Sequence, residues 1–160
     1  MLTERRREVS VTDLSPDELQ IAFHDVECVT YDARFGIACD GRGARGAARE
    51  AARLLGDGRL GRILDVGCGT GFLGLGLLAS GRATELHAVD ISEGMLERAR
   101  SNADTLGVRA RLVRASATRL PFPDAAFDAV VTRGVLHHLH DPVGALREWR
   151  RVVRPGGPVL

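Results

Sequence analysis

Lysine is absent from this 160-residue chain: all 22 basic residues are arginine. Alongside abundant alanine and glycine, that reads as coding bias in a GC-rich genome and not as a functional basic patch. The 22 basic residues face 21 acidic ones, for a formal net charge of +1. A balance this even leaves no electrostatic footprint for nucleic acid. No apolar run approaches the ~20 residues that a membrane span needs. Arg5-Arg6-Arg7 has no apolar segment behind it, so a secretory signal is not expected and a cytoplasmic location is. Cysteine is scarce. Cys28, Cys39 and Cys68 are odd in number and lack C-x-x-C spacing, which argues for free thiols in a reducing compartment and against a metal site.

What is present has the size of one globular domain, 44% hydrophobic. It is organised around Arg62-Ile63-Leu64-Asp65-Val66-Gly67-Cys68-Gly69-Thr70-Gly71-Phe72-Leu73-Gly74. Ile63 to Val66 reads as a buried parallel strand, the glycines as a tight turn, and Phe72 to Ala79 as an apolar helix. Gly67, Gly69 and Gly71 permit positive φ and close approach of a ligand to the backbone. The first amides of the following helix lack intrahelical partners and suit an anionic group. Strand, turn and helix thus predict a nucleotide-type crevice at the strand's carboxyl end. Geometry alone leaves two ligands open, because Gly69-Thr70-Gly71-Phe72-Leu73-Gly74 also satisfies the dinucleotide pattern G-x-G-x-x-G, with Asp90 downstream.

Along the rest of the chain, residues 1–14 are polar and aperiodic and are expected to fray. Ser15-Pro16-Asp17-Glu18 has the form of a capping box with proline in the first turn, and predicts a short helix through about Phe23. Val26 to Gly43 gives no clear element. Ala44 to Leu55, stopped by Gly56, predicts a helix that covers one face of a sheet. Leu86 to Asp90 predicts a second strand ending in an acid, with Ser92 capping a helix from Glu93 to Leu106. Asp90 is either a ligand for ribose hydroxyls or an acid at a helix start. His87 reads as an ordinary strand residue. Ala110 to Ala115 alternates arginine with apolar residues, the pattern of an edge strand. Asp128 to Thr132 predicts a buried fourth strand. Asp141-Pro142 opens a helix whose apolar positions Val143, Leu146, Trp149, Val152 and Val153 are expected to face the sheet.

Four stretches in order resemble the class I S-adenosylmethionine-dependent methyltransferases, in wording nearest the group called type 11. They are Asp65-Val66-Gly67-Cys68-Gly69-Thr70-Gly71; Val89-Asp90-Ile91-Ser92 with Met95; Ser116 through Leu120-Pro121-Phe122 to Phe127-Asp128; and Arg133 through Leu136-His137-His138-Leu139 to Arg154-Pro155-Gly156-Gly157. The resemblance implies S-adenosylmethionine as cofactor, held by Asp65, Gly67, Cys68, Gly69, Thr70, Gly71, Asp90, Ile91, Met95, Ser116, Ala117 and Arg133. Asp65 would serve the donor's ammonium, which favours the methyl donor over a dinucleotide. Ser116 stands where the family usually has aspartate, so the adenine amino group loses a charge-assisted bond and weaker donor affinity is expected. Tyr31-Asp32 resembles a pair that folds over the donor, although two aromatics and an acid in that loop can equally just pack on the sheet.

The implied fold is an α/β, Rossmann-like doubly wound parallel sheet of order 3-2-1-4-5, with strands 6 and 7 of the family's seven absent. Residues 1–43 would form an N-terminal extension and lid, and 44–160 the donor-binding core. Since the last residues fall in an apolar strand, a fragment is the first expectation and a shortened member that borrows a wall the second. Either way the fifth strand's open edge would favour self-association. Methyl transfer to a small-molecule acceptor is the implied function, without nucleic acid, membrane or metal. His137 and His138 are the general-base candidates. A non-catalytic donor-binding or scaffold protein and a nicotinamide-dependent oxidoreductase are the alternatives.

Overall fold

The computed structural model describes residues 13–160, so the expectation for the polar first residues falls almost wholly outside the described part. Ser15 caps α1 (Pro16–Glu27) with a complete capping box: its amide donates to Glu18 Oε2 at 2.7 Å and its Oγ accepts from the Glu18 amide at 3.3 Å. The helix continues past the expected end at Phe23, because no breaker follows until Val29-Thr30. A single turn, α2 (Tyr31–Arg34), and then α3 (Gly41–Leu55) occupy the segment that the sequence left open. Asp40 caps α3 by accepting from the amides of Arg42 and Gly43, which moves its start three residues ahead of Ala44.

The core alternates strand and helix: β1 (Gly61–Val66), α4 (Phe72–Ala79), β2 (Ala83–Asp90), α5 (Glu93–Leu106), β3 (Arg111–Arg114), β4 (Ala129–Val131) and α6 (Pro142–Val152). All pairings are parallel and the hydrogen-bonded order is 3-2-1-4. β3 lies at an edge, as its alternation predicts. The fifth place is held only by Pro158–Leu160, which bridges β4 at Val130 and Val159. There the Val130 amide donates to Pro158 O at 3.0 Å and the Leu160 amide to Val130 O at 2.9 Å. No described helix is long and apolar enough to cross a membrane.

β1 is buried from Ile63 to Val66 because both of its faces are covered. Ile63 joins Leu75, Leu77, Leu86 and Leu96 under α3, α4 and α5. Its neighbour Leu64 joins Val89, Phe127, Trp149 and Val152 under α6. α3 can lie close on α4 because both are small there; a Cβ on Gly76 would stand 2.6 Å from that of Ala47. In α6 the expected stripe is displaced. Ala145, Trp149 and Val152 are buried, while Val143 and Leu146 are 55% and 45% exposed. The register is set by Trp149, whose ring fills the core and whose Nε1 donates to Ala117 O at 2.8 Å. Ala145, one turn earlier on the same face, is fully buried in the same cluster.

Candidate active site

Parallel register brings the ends of β1, β2 and β4 together: Val66 pairs with Val89, and Asp65 with both Ala88 and Val131. Past those ends lies a hollow of ≈ 730 Å³ of empty space, part of it open to solvent. The residues expected to form the site converge on it: Gly67, Gly69, Asp90, Ile91, Met95, Ser116, Ala117, Arg133 and His138 all line it. A second hollow, of ≈ 360 Å³, adjoins it through shared Tyr31, Gly67, Gly69 and Arg133, and adds Asp65, Cys68 and Thr70.

The glycine turn owes its shape to positive φ at Gly67, Gly69 and Gly71 (+63°, +53° and +88°). At Gly67 a Cβ would collide with Val135, whereas at Gly69 it would meet nothing within 4 Å, so the turn offers bare backbone to open space. Gly71 does not line either hollow; it is the left-handed N-cap of α4, with Leu75 packed against it.

Two carboxylates brace this turn from below. Asp65 is 2% exposed and accepts from the Gly74 amide at 2.9 Å, so one of the orphan amides of α4 is already taken. Burial pushes its carboxyl up to about 7 despite that bond, with the nearby Asp90 charge adding to the rise. Asp90 accepts from the Gly69 amide at 2.8 Å through one oxygen and from the Ser92 amide at 3.0 Å through the other. It therefore anchors the start of α5 and also lines the hollow. A carboxylate has roughly four acceptor sites, so lone pairs remain for a ligand. Burial raises its pKa, and the two amides oppose the rise. Ser92 caps α5 by accepting from the Met95 amide at 3.1 Å.

Tyr31 borders both hollows because Asp32 pins α2 down. Asp32 is 8% exposed and accepts from Thr70 Oγ1 at 2.5 Å, Arg98 Nε at 3.0 Å and Asn102 Nδ2 at 3.1 Å. Asn102 also donates to Thr70 O at 2.9 Å. The Tyr-Asp pair is thus both at the site and packed. Arg133 reaches across the rim, its guanidinium 5.1 Å from the Phe72 ring centroid and its Nε 3.4 Å from Glu50 Oε1. Ser116 Oγ lies 3.0 Å from Thr118 Oγ1.

Of the two adjacent histidines only His138 lines the hollow. His137 stacks behind it, with ring centroids 3.9 Å apart. Burial lowers the His138 pKa, and the neighbouring His137 and His24 lower it further, so its imidazole is neutral near pH 7. His87 is a core residue, set edge-on to Phe122 and Phe127. Sequence reasoning missed the α1 wall: Asp17, Gln20 and His24 line the same hollow. Their spacing, i, i+3, i+7, is a helix face, but the expected end at Phe23 cut it short.

Comparison with known proteins agrees with this arrangement. Residues 63–157 match the family model described as methyltransferase domain. A malonyl-[acyl-carrier protein] O-methyltransferase from Halorhodospira halophila is 43% identical over 99 residues, which are 62% of this chain and 33% of that protein. A ubiquinone biosynthesis O-methyltransferase from Alkalilimnicola ehrlichii is 32% identical over 161 aligned positions, covering 94% of this chain and 64% of its own length. Among solved structures, the [4+2]-cyclase SpnF superposes with a TM-score of 0.73 at 28% identity, covering 91% of this chain and 60% of that one. The chain spans between a third and two thirds of the length of these relatives. The dinucleotide reading of the glycine turn falls with these matches. The chain belongs to the methyltransferase-domain family, the class I S-adenosylmethionine-dependent methyltransferases.

Proposed function

We infer that this chain binds S-adenosylmethionine at the carboxyl ends of β1, β2 and β4, and that the protein methylates oxygen on a small-molecule acceptor. The observation that carries the reading is Asp90: a buried carboxylate at the end of β2, already aligned by the Gly69 and Ser92 amides, with acceptor capacity left toward the hollow. The residues present fit the donor. Asp90 would take the ribose hydroxyls, Ile91 and Met95 would flank the adenine, and Ser116 with Ala117 would meet its edge. The smaller hollow, walled by Asp65, Gly67, Cys68, Thr70 and Arg133, would take the amino-acid end. When bound, the sulfonium supplies an already activated methyl group. The protein's own contribution is then proximity, exclusion of water and a proton acceptor.

The oxygen acceptor follows from the two relatives above, each an O-methyltransferase by name. A non-catalytic donor-binding role is the second reading. Calorimetric titration of the 160-residue chain with S-adenosylmethionine and S-adenosylhomocysteine, repeated on Asp90→Ala, tests the donor site. Binding of both to the parent chain and a loss of roughly tenfold or more in the variant is expected, one charge-assisted acceptor being worth about 1.5–3 kcal/mol. Absence of binding to a folded chain overturns it. Release of S-adenosylhomocysteine on turnover separates enzyme from binder.

A further inference from the structure

The α1 wall carries unused hydrogen-bonding capacity. Gln20 Oε1 and His24 Nδ1 are both buried, and neither has a hydrogen-bond partner among the described residues. Both side chains line the larger hollow and stand one helical turn apart, on neighbouring positions of a single face. A buried polar atom without a partner is costly: Gln20 Oε1 points to a donor on a ligand in the hollow, whereas His24 Nδ1 is turned to a carboxylate behind it.

His24 has a specific arrangement behind it. Glu27 Oε2 lies 3.5 Å from His24 Nδ1, close enough for attraction but off the line of a hydrogen bond. The other oxygen of Glu27 accepts from Arg34 Nη1 at 2.9 Å, and the Glu27 side chain is only 9% exposed. A carboxylate fixed by arginine thus stands behind an imidazole that borders the cavity, the order of groups found where a base is oriented by a third residue. In sites without substrate such contacts are commonly long and tighten when substrate arrives. His24 Nε2 makes no hydrogen bond to a described residue and is not among the buried unpartnered atoms; with Nδ1 turned to Glu27, it is the nitrogen left for a ligand in the hollow that His24 lines. The other charged or titratable groups around the ring are His138, with its centroid 5.3 Å away, and Asp90.

We propose that His24, positioned by Glu27, is the proton acceptor for the methylated hydroxyl, and that the acceptor presents a second hydrogen-bond donor, such as a neighbouring hydroxyl, to Gln20. The proposal rests on the O-methylation reading above. The acceptor oxygen gains the methyl carbon and gives its proton to His24 Nε2. The electron pair of the broken carbon–sulfur bond stays on sulfur, which leaves as a neutral thioether. The imidazolium faces Glu27 until it loses the proton to water. His138, lowered in basicity beside two other imidazoles, is the neutral partner that packs edge-on against His24. A vicinal aromatic diol has the two donors that the wall asks for, and phenol has one.

Two measurements test this. The first needs no acceptor: long-range ¹H–¹⁵N spectra of the histidine rings at pH 8, in the full chain and in Glu27→Gln. The proton of neutral His24 is expected on Nδ1 in the parent chain, with Nε2 bare, and redistributed in the variant. A proton on Nε2 in the parent, or a tautomer indifferent to Glu27→Gln, overturns the proposal. The second is methylation of pyrocatechol and of phenol with S-adenosylmethionine. His24→Gln is expected to lower kcat by roughly 100-fold or more, the usual share of a general base, while the variant still binds the donor in calorimetry. Gln20→Ala is expected to raise the KM for pyrocatechol and leave that for phenol unchanged. Unaltered turnover in His24→Gln overturns the assignment while the donor site stands. Loss of donor binding in the parent chain overturns the methyltransferase reading instead, and the tautomer result still decides the Glu27–His24 pair.

Discussion

Replacing Asp32 by alanine should unlatch the turn that carries Tyr31. The carboxylate receives three bonds, and its removal affects each donor differently. Thr70 is 1% exposed, so its hydroxyl is left buried without an acceptor, a penalty of about 1–3 kcal/mol. Arg98 is 44% exposed along its side chain and regains water, so its loss adds only about 0–1 kcal/mol. Asn102 keeps the Thr70 carbonyl as a partner and adds little. The sum, about 1–4 kcal/mol, is a large share of the 5–15 kcal/mol that holds a typical domain together. At ~2–4 °C per kcal/mol for a chain of this size, Tm should fall by roughly 2–16 °C. Circular-dichroism melts of the parent chain and Asp32→Ala give that number directly. A double-mutant cycle with Thr70→Val then isolates the pair, with a coupling of about 1–2 kcal/mol expected. A fall in Tm under 2 °C, or additive single and double mutants, would refute the idea that this carboxylate ties α2 to the glycine turn.

Trp149→Phe should cost about 1–2 kcal/mol in urea unfolding, because it strands the Ala117 carbonyl, whereas Trp149→Ala should cost about 3–5 kcal/mol through the cavity it leaves; equal losses would mean that the bond to Ala117 contributes nothing. Gly67→Ala meets both positive φ and the Val135 side chain, and should lower Tm and weaken donor binding together, seen by melting and calorimetry; a variant with parental binding would show that the turn yields at no cost. The buried Asp65 carboxyl titrates near 7 when folded, against an ordinary value of 3.8. Its folded state holds the proton longer than the unfolded chain, so its stabilising share is complete below about 4 and disappears as pH rises through 7. Scanning calorimetry from pH 5 to pH 8 should therefore show a steeper decline in Tm for the parent chain than for Asp65→Asn; parallel curves would contradict the buried-acid account.

Local signals were the legible part. The Ser15 box, the Asp141-Pro142 start, the Ser92 cap and the glycine turn are each written within a few consecutive residues, and each stands as expected. The strand order followed from the resemblance and from the alternation of β3. Long-range pairs were the illegible part. Asp32 meets Thr70, Arg98 and Asn102 across 38, 66 and 70 residues, and no local pattern marks an acid that will be buried by such distant donors. Asp25, which accepts from Ser92 Oγ at 2.5 Å and the Gly94 amide at 3.1 Å, docks α1 on α5 in the same way. The α6 stripe was misjudged for another reason: hydropathy ranks valine and leucine above alanine, yet it is Ala145 that the core covers.

The two amide bonds on Asp90 have a kinetic consequence. In the proposed donor site, where Asp90 takes the ribose, a carboxylate already held by Gly69 and Ser92 needs no rearrangement, so the conformational entropy of that contact is lost when the chain folds and not when the ligand arrives. Encounter should then be limited by diffusion and orientation alone. Ligands that share the adenosine moiety but differ at sulfur should associate at nearly the same rate and differ in how long they stay.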